Sequence, residues 1–496
     1  MIRGAADVAR GLAPAREARA IEPGERIHVI GAAGAGASAA ALLAYEAGGA
    51  PDGCDPGAPT QYTAALEERN ISVVSEHAAA HINQAPPARL AVTKALTSVH
   101  PDHPELVAAR AAGVPIEAWQ QTVADAALVQ GGALVAVAGT HGKSTSAGWL
   151  VHMLVGAGQD PAAFVGALLP ASLTGGTPAT ARWGSGGAFI VEADEYAGNF
   201  DAFRPSLAVV LNAEWDHPDV FEDRAAVVDA FETWLRAPGA DGRRAIINIG
   251  DAGGTELAER LADWGDRVIT VAPAGAAPSD VGYRLDGSLL WLSGLPGPDA
   301  QVAAQLRLAG AHNAANAACV AAAAAALGVR GPEIADGLAS FEGVGRRFDV
   351  KGEHGGVLVI DDYGHHPTAI RATIEAVRSR YPGRPLWVAH EPLTFHRAAA
   401  MLDELAAALA QADHAVIADI WAGRDPDRTL TSASELAERV AAVSGRVVAA
   451  PGSPEATADY LITRVQPGEI VLAMGGGRSY VIADRLVSLL GHTSAE

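Results

Sequence analysis

The chain has 496 residues, with 36 basic against 57 acidic side chains and a formal charge of −21; only Lys94, Lys143 and Lys351 are lysines, so chemistry that needs an ammonium group has three places to look. The acidic balance argues against a nucleic-acid binder, whose phosphate contacts draw on clustered Lys and Arg, and two cysteines, Cys54 and Cys319, cannot build a disulfide framework. The longest uncharged stretch, residues 308–329, is mostly alanine and too weakly apolar to predict a membrane span.

At roughly 100–200 residues per domain, the length predicts two to four domains, and a hydrophobic content of 49% gives each a core. The first 25 residues carry Arg3, Arg10, Arg16 and Arg19 interleaved with Asp7, Glu17, Glu22 and Glu25. They lack an apolar h-region and read as an extension, not a signal peptide. A cytoplasmic protein is expected, in keeping with the sparse cysteine.

Short apolar runs then alternate with Ala-rich helical stretches, the pattern of an α/β protein with mainly parallel sheets. Strands are predicted at Arg26–Ile30, Leu134–Ala138, Ala188–Glu192, Leu207–Leu211, Arg244–Ile247, Val357–Ile360, Leu386–Ala389, His414–Ala418 and Glu469–Ala473. Three run straight into loops with unusual chemistry: Gly31-Ala32-Ala33-Gly34-Ala35-Gly36, Gly139-Thr140-His141-Gly142-Lys143 and Asp361-Asp362-Tyr363-Gly364-His365-His366-Pro367. Ligands of open α/β sheets bind at the carboxyl ends of strands. Three such ends predict three α/β domains, 1–128, 129–343 and 344–496. Residues 280–308 read as short strands with Gly/Pro turns, a small antiparallel annex.

Gly139-Thr140-His141-Gly142-Lys143-Ser144-Thr145 follows a buried strand and opens a helix. Glycines let backbone N–H groups approach phosphate oxygens, the helix N-terminus adds positive potential, Lys143 supplies a point charge and Ser144 can ligate Mg²⁺. The usual eight-residue pattern has glycine where this chain has Val137, so the loop is a shortened variant; the alternative is a chance Gly-Lys-Ser at a helix start. The next two strands end in Glu192-Ala193-Asp194-Glu195 and Asn212-Ala213-Glu214-Trp215-Asp216-His217-Pro218. Carboxylate and imidazole at strand tips beside a phosphate loop can hold a second divalent ion; either motif alone reads as solvated loop charge.

These residues resemble the Mur ligases, ATP-dependent enzymes that build the peptidoglycan peptide, and within them the alanine-adding branch. The resemblance runs from about Arg26 to the C-terminus. It also rests on Gly310-Ala311-His312-Asn313-Ala314-Ala315-Asn316, Gly343-Val344-Gly345-Arg346-Arg347-Phe348 and the Asp361–Thr368 loop. It implies a Rossmann-like domain holding UDP-N-acetylmuramate, a P-loop domain holding ATP and a Rossmann-like C-terminal domain holding L-alanine. The lactyl carboxylate would take the γ-phosphoryl of ATP, and the amine would then displace phosphate from the acyl phosphate.

By the same resemblance Lys143 holds the β- and γ-phosphates within the loop from Gly139 to Thr145, and Ser144 holds the first Mg²⁺. Glu192 and His217 hold the second, Asn316 reads adenine and Asp362 binds ribose. Arg347 approaches the transferring phosphoryl, where closure of a mobile domain also excludes water; the alternative for Arg347 is a linker salt bridge. Gly31, Gly34 and Gly36, with Asp55 placed 19 residues beyond Gly36, look like a dinucleotide fingerprint. In this family that geometry seats the uridine diphosphate; on its own it also admits an NAD enzyme. Tyr363, His365, His366 and Arg397 fall on the amino-acid side, although His365 and His366 equally suit capping of the following helix.

Departures from the family pattern sit at the two substrate ends. They are Ala33 for glycine, Lys94-Ala95-Leu96-Thr97 for a Ser-Ser-Ala-Ile segment, Glu391-Pro392-Leu393 for Gln-Pro-His, and Arg478 for an aspartate. Several sister ligases use a carbamylated lysine shortly after the Asp-His motif, and this chain has no lysine between Ser144 and Val350, which favours the alanine-adding branch. The alternatives are a ligase that returns a preformed murein tripeptide to the same UDP-sugar and a catalytically altered nucleotide-binding regulator. No nucleic-acid or membrane partner is expected, and a monomer or homodimer is.

Overall fold

Apolar runs too short for helices and bounded by Gly, Asn and Asp form strands that are buried on both faces. The computed structural model describes residues 5–239, 242–308, 310–423, 425 and 427–493, so Arg3 of the N-terminal extension lies outside the described residues. The described residues build three sheets.

The first sheet contains β1 (Arg26–Ile30), β2 (Ala50–Cys54), β3 (Val73–Val74), β4 (Arg89–Val92) and β5 (Ile116–Ala118). Its order is β3-β2-β1-β4-β5, all parallel. Side chains alternate between faces along a strand, so Ile27 and Val29 join one core cluster while Ile30 joins another with Cys54 and Leu90.

The second sheet contains β6 (Ala133–Ala138), β7 (Ala162–Leu169), β8 (Ala179–Arg182), β9 (Ala188–Ala193), β10 (Leu207–Val210), β11 (Arg244–Asn248), β12 (Val268–Pro273), β13 (Val281–Asp286), β14 (Leu289–Ser293) and β15 (Gln301–Gln305). Its order is β15-β14-β13-β12-β11-β10-β6-β9-β7-β8. The predicted annex is antiparallel as expected, but it is not separate. Residues of β13 pair in parallel with β12, so β13–β15 extend the central sheet. The alternating burial of β14 and β15 fits strands with one face on the core and one in water.

The third sheet contains β16 (Asp349–His354), β17 (Val357–Asp362), β18 (Leu386–Glu391), β19 (His414–Ala418), β20 (Ala449–Gly452) and β21 (Ile470–Gly475). Its order is β16-β17-β21-β18-β19-β20, and only β16 is antiparallel.

By their contacts the described residues divide into two units. One runs to Val344 and holds the first two sheets. The other runs from Gly345, holds the third sheet, and includes Asp216–Asp219. From Asn313 on, the Ala-rich helix Ala311–Ala326 belongs to the first unit and is buried along most of its length, because methyl side chains let a helix lie close against the sheet. No helix among the described residues is long and apolar enough to cross a membrane.

Candidate functional site

In the first unit the phosphate loop leaves the C-terminal end of β6, between β9 and β10, and feeds the helix Lys143–Gly156. Register pairs Ala138 with Ala193 and Val210, so the acidic strand tip and the Asn212–Glu214 segment flank the loop. Two residues outside the predicted set hold its shape. Asn212 Oδ1 accepts the His141 N–H at 2.8 Å while its Nδ2 donates to His141 O. Asp251 accepts the N–H groups of Ala213 and Gly254, which ties the segment after β10 to the start of the helix Ala252–Arg260. Thr140 Oγ1 donates to Glu214 O at 3.0 Å and accepts its N–H at 2.9 Å. An Asn directly after a buried strand was the one sequence signal for Asn212.

Lys143 Nζ lies 2.9 Å from Glu195 and 3.3 Å from Asp194. Although burial disfavours its charge, these carboxylates keep the ammonium firmly protonated. Burial pushes the Glu195 carboxyl up, to about 6, against the pull of Lys143. Glu192 Oε2 accepts the Gly166 N–H at 2.6 Å. Ser144 is buried at the start of the helix. Asn316 is buried beside the loop, and a Cβ added to Gly142, whose φ is +80°, would meet Asn316 Nδ2 at 2.7 Å. Glycine there serves both a left-handed backbone and the close approach of Asn316.

The first glycine loop follows β1. Its Gly31 and Ala32 N–H groups donate to Cys54 O at 2.8 and 3.2 Å. Asp55 accepts from Ala33 N at 3.2 Å and from Gly57 N at 2.8 Å, so this carboxylate orders the loop at the position where the family has glycine. The backbone of Gly34 donates to Gly31 O. A Cβ on Gly36 would come within 2.3 Å of the Trp119 indole, so this glycine is needed for packing a helix against the loop. Lys94 turns its Nζ to the carbonyls of Ala197 and Gly198.

In the second unit three strand ends converge, since β21 lies between β17 and β18. Of the adjacent pair Arg346 and Arg347, the sequence pattern marks only the second as a site residue. Arg346 is buried and donates to Gly475 O at 3.0 Å and to Ser479 Oγ at 2.9 Å, with Asp361 beside it at 3.3 Å. Burial nonetheless pushes the Asp361 carboxyl up to about 6. Arg347 lies with its guanidinium 4.4 Å from the centre of the Tyr363 ring. Asp362 accepts the N–H groups of Phe348 and Gly364, both at 2.8 Å, and so fixes the loops on both sides of it.

His366 Nδ1 accepts the Thr368 N–H at 3.2 Å and caps the helix Pro367–Arg380. His365 instead packs edge-on against Tyr363, and burial, helped by Arg397, holds its ring well below the usual histidine range. Arg397 is buried and grips Asp216 in a two-point ion pair at 2.7 and 3.0 Å, with His217 Nδ1 at 3.2 Å. Despite burial, Arg397 and the neighbouring histidines hold the Asp216 carboxyl well below the usual range. Arg397 Nη1 is buried without a hydrogen-bond partner, a spare donor of the kind a carboxylate takes. Arg478 is exposed and pairs with Glu455.

Three family models match in chain order: the Mur ligase family catalytic domain over residues 26–130, the Mur ligase middle domain over 137–325 and the Mur ligase glutamate ligase domain over 346–477. A UDP-N-acetylmuramate–L-alanine ligase from Roseiflexus castenholzii is 35% identical over 487 residues, covering 94% of this chain and 97% of that protein. Among solved structures, a UDP-N-acetylmuramate–alanine ligase from Thermotoga maritima shares the fold with a TM-score of 0.75 at 23% identity, over 95% of this chain and 100% of that one. A murein peptide ligase from Psychrobacter arcticus matches with a TM-score of 0.71 at 25% identity, over 94% and 99%. The chain belongs to the Mur ligase family.

Proposed function

We propose that the protein is an ATP-dependent, ADP-forming amide ligase that joins L-alanine to the lactyl carboxylate of UDP-N-acetylmuramate, a cytoplasmic step of peptidoglycan precursor synthesis. The observation that carries this reading is the likeness to an alanine-adding ligase over nearly the whole of both chains, including the C-terminal third. A carboxylate oxygen attacks the γ-phosphorus, the bond to the β-phosphate oxygen breaks and ADP leaves. The amine nitrogen then attacks the acyl carbon, and inorganic phosphate departs as the nitrogen loses a proton.

Residues 1–128 would hold the UDP-sugar, 129–343 ATP and 344–496 the amino acid. In the first, Gly31, Gly34, Gly36 and Asp55 shape the diphosphate loop. In the second, the N–H groups from Gly139 to Thr145 cradle the triphosphate and Lys143 neutralises its β- and γ-oxygens. ATP must draw the Lys143 ammonium away from Glu195 and Asp194, which keep it charged until then. Asn316 contacts the adenine and Asp362 the ribose side. Arg347 stabilises charge on the transferring phosphoryl, with Arg346 and Tyr363 setting its position. Arg397, through its spare Nη1, takes the amino-acid carboxylate, flanked by Tyr363, His365 and His366.

The hydroxyl of Ser144 would hold one Mg²⁺, and the carboxylate of Glu192 with the imidazole of His217 a second; the oxygen donors suit a hard cation, and Glu192 is held in place by the Gly166 amide. The metal, when bound, neutralises phosphate charge.

The test measures phosphate release with UDP-N-acetylmuramate, ATP and Mg²⁺ against alanine, glycine, serine and the murein tripeptide. Turnover with alanine is expected. Turnover with the tripeptide alone would identify the recycling ligase, and nucleotide binding without turnover of any amine would identify a regulator.

A further inference from the structure

The N-terminal sheet carries a cluster of histidine, cysteine and carboxylate groups that neither the glycine loop nor the phosphate loop uses. His28 on β1, Cys54 at the end of β2, His81 on the helix Ala80–Asn83 and Glu105 on the helix Pro104–Ala112 turn their side chains to one point. One ligand atom from each lies within 4.8 Å of all the others. His28, Cys54 and Glu105 are at most 2% exposed. Glu105 is the hub: it faces His28 Nε2 at 2.9 Å, Cys54 Sγ at 3.1 Å and His81 Nδ1 at 3.1 Å.

Two features of this hub distinguish it from an ordinary buried ion pair. Among the described residues no Lys or Arg hydrogen-bonds to Glu105; its partners there are the imidazoles, the thiol and the Ala78 N–H. A buried carboxylate needs a compensating cation, and here it must come from protons on the rings or from a metal ion. Further, His28 Nδ1 is hydrogen-bonded to Asp52, which Arg26 holds from the other side. That arrangement fixes the tautomer and leaves Nε2 toward the cluster, as carboxylates behind metal-bound histidines do.

We propose that His28, Cys54, His81 and Glu105 form a structural metal site for a borderline-soft divalent cation, Zn²⁺. Two imidazoles, a thiolate and a carboxylate make up a closed tetrahedral set. Bonds of about 2.0–2.3 Å require ligand atoms roughly 3.3–3.8 Å apart, so the close pairs to the two Glu105 oxygens would open by a few tenths of an ångström, while wider pairs, all within 4.8 Å, would draw in around the ion. His77, whose Nδ1 is 3.1 Å from Cys54 Sγ, stacks edge-on with His103 and shields the sulfur. Four ligands from β1, β2 and two helices would clamp the end of β2, the strand whose Cys54 carbonyl receives the Gly31 and Ala32 amides.

The test uses the full chain, purified without a histidine tag, and does not depend on catalysis. Elemental analysis is expected to find one zinc per chain that survives dialysis against Mg²⁺. Replacement by Co²⁺ should give tetrahedral visible bands and a near-ultraviolet thiolate charge-transfer band. That band should disappear in Cys54→Ser, a near-isosteric change, and persist in Cys319→Ser, whose thiol lies in the core of the central sheet. Zinc absent after dialysis against Zn²⁺, cobalt bound without a thiolate band, or a band indifferent to Cys54→Ser would each overturn the proposal.

Discussion

Glu391 sits at the end of β18, 2% exposed, where the family pattern has glutamine. Its Oε2 has no hydrogen-bond partner, and burial pushes its carboxyl from 4.5 to about 7 despite nearby Arg346 and the amides of Arg478 and Ser479. Between those pH values the folded chain keeps a proton that the unfolded chain has released, so stability falls as pH rises from 4.5 to 7 and the loss is complete above 7. At about 1.4 kcal/mol per pH unit, the ceiling on this loss is roughly 3.5 kcal/mol. Glu391→Gln removes the titration and nearly preserves the shape. The variant should gain about 1–3 kcal/mol over the parent at pH 8 and almost nothing at pH 4.5. Urea unfolding at several pH values, followed on the transition of the C-terminal unit, measures the gap. A gap that is constant with pH, or that widens towards acid, would refute the assignment of the buried proton to Glu391.

Lys143→Ala should lower kcat at least about 10²-fold, since a fixed charge on a transferring phosphoryl carries that much; the phosphate-release assay with a folded-state control by circular dichroism checks it. Gly142→Ala forces a methyl to 2.7 Å from Asn316 Nδ2 on a left-handed backbone, so calorimetric ATP affinity should drop while binding of the UDP-sugar holds. Arg397→Ala leaves Asp216 charged and buried without its partner and should cost about 3–5 kcal/mol in stability. Arg397→Lys, a single point charge without the planar fork, should keep more of the fold and raise KM for alanine more than it lowers kcat.

The loops that bear on function were legible because they follow the plainest signal in the chain, an uninterrupted apolar run that ends in Gly, Asp or Asn. The strand edges at Arg26–Ile30 and His414–Ala418 fell as expected for that reason. The annex was read correctly as antiparallel hairpins, but its junction with the sheet was not, because pairing of β12 with β13 depends on a sheet edge that local pattern does not describe. Arg346 and Arg347 are equivalent as letters. Which one is buried is decided by the carbonyl of Gly475 and the hydroxyl of Ser479, contributed from far along the chain. The histidine-cysteine cluster stayed hidden for the same reason, since its members come from four elements and have no short ligand spacing. His366 showed the reverse: its position before Pro367 was a local capping signal, and it does cap.

The side chains of Lys94, Lys143 and Lys351 expose only 11%, 12% and 24% of their surface, and each is paired. Cys54 and Cys319 are buried as well. On the folded protein, reagents that seek amines or thiols therefore meet almost no accessible side chain. Random lysine coupling would label it poorly, whereas a single cysteine introduced on the surface would be a nearly unique handle. The same scarcity favours affinity labelling: a nucleotide carrying an electrophile on its terminal phosphate would meet one ammonium at the phosphate loop, so modification of Lys143 would report occupancy of that loop against a quiet background.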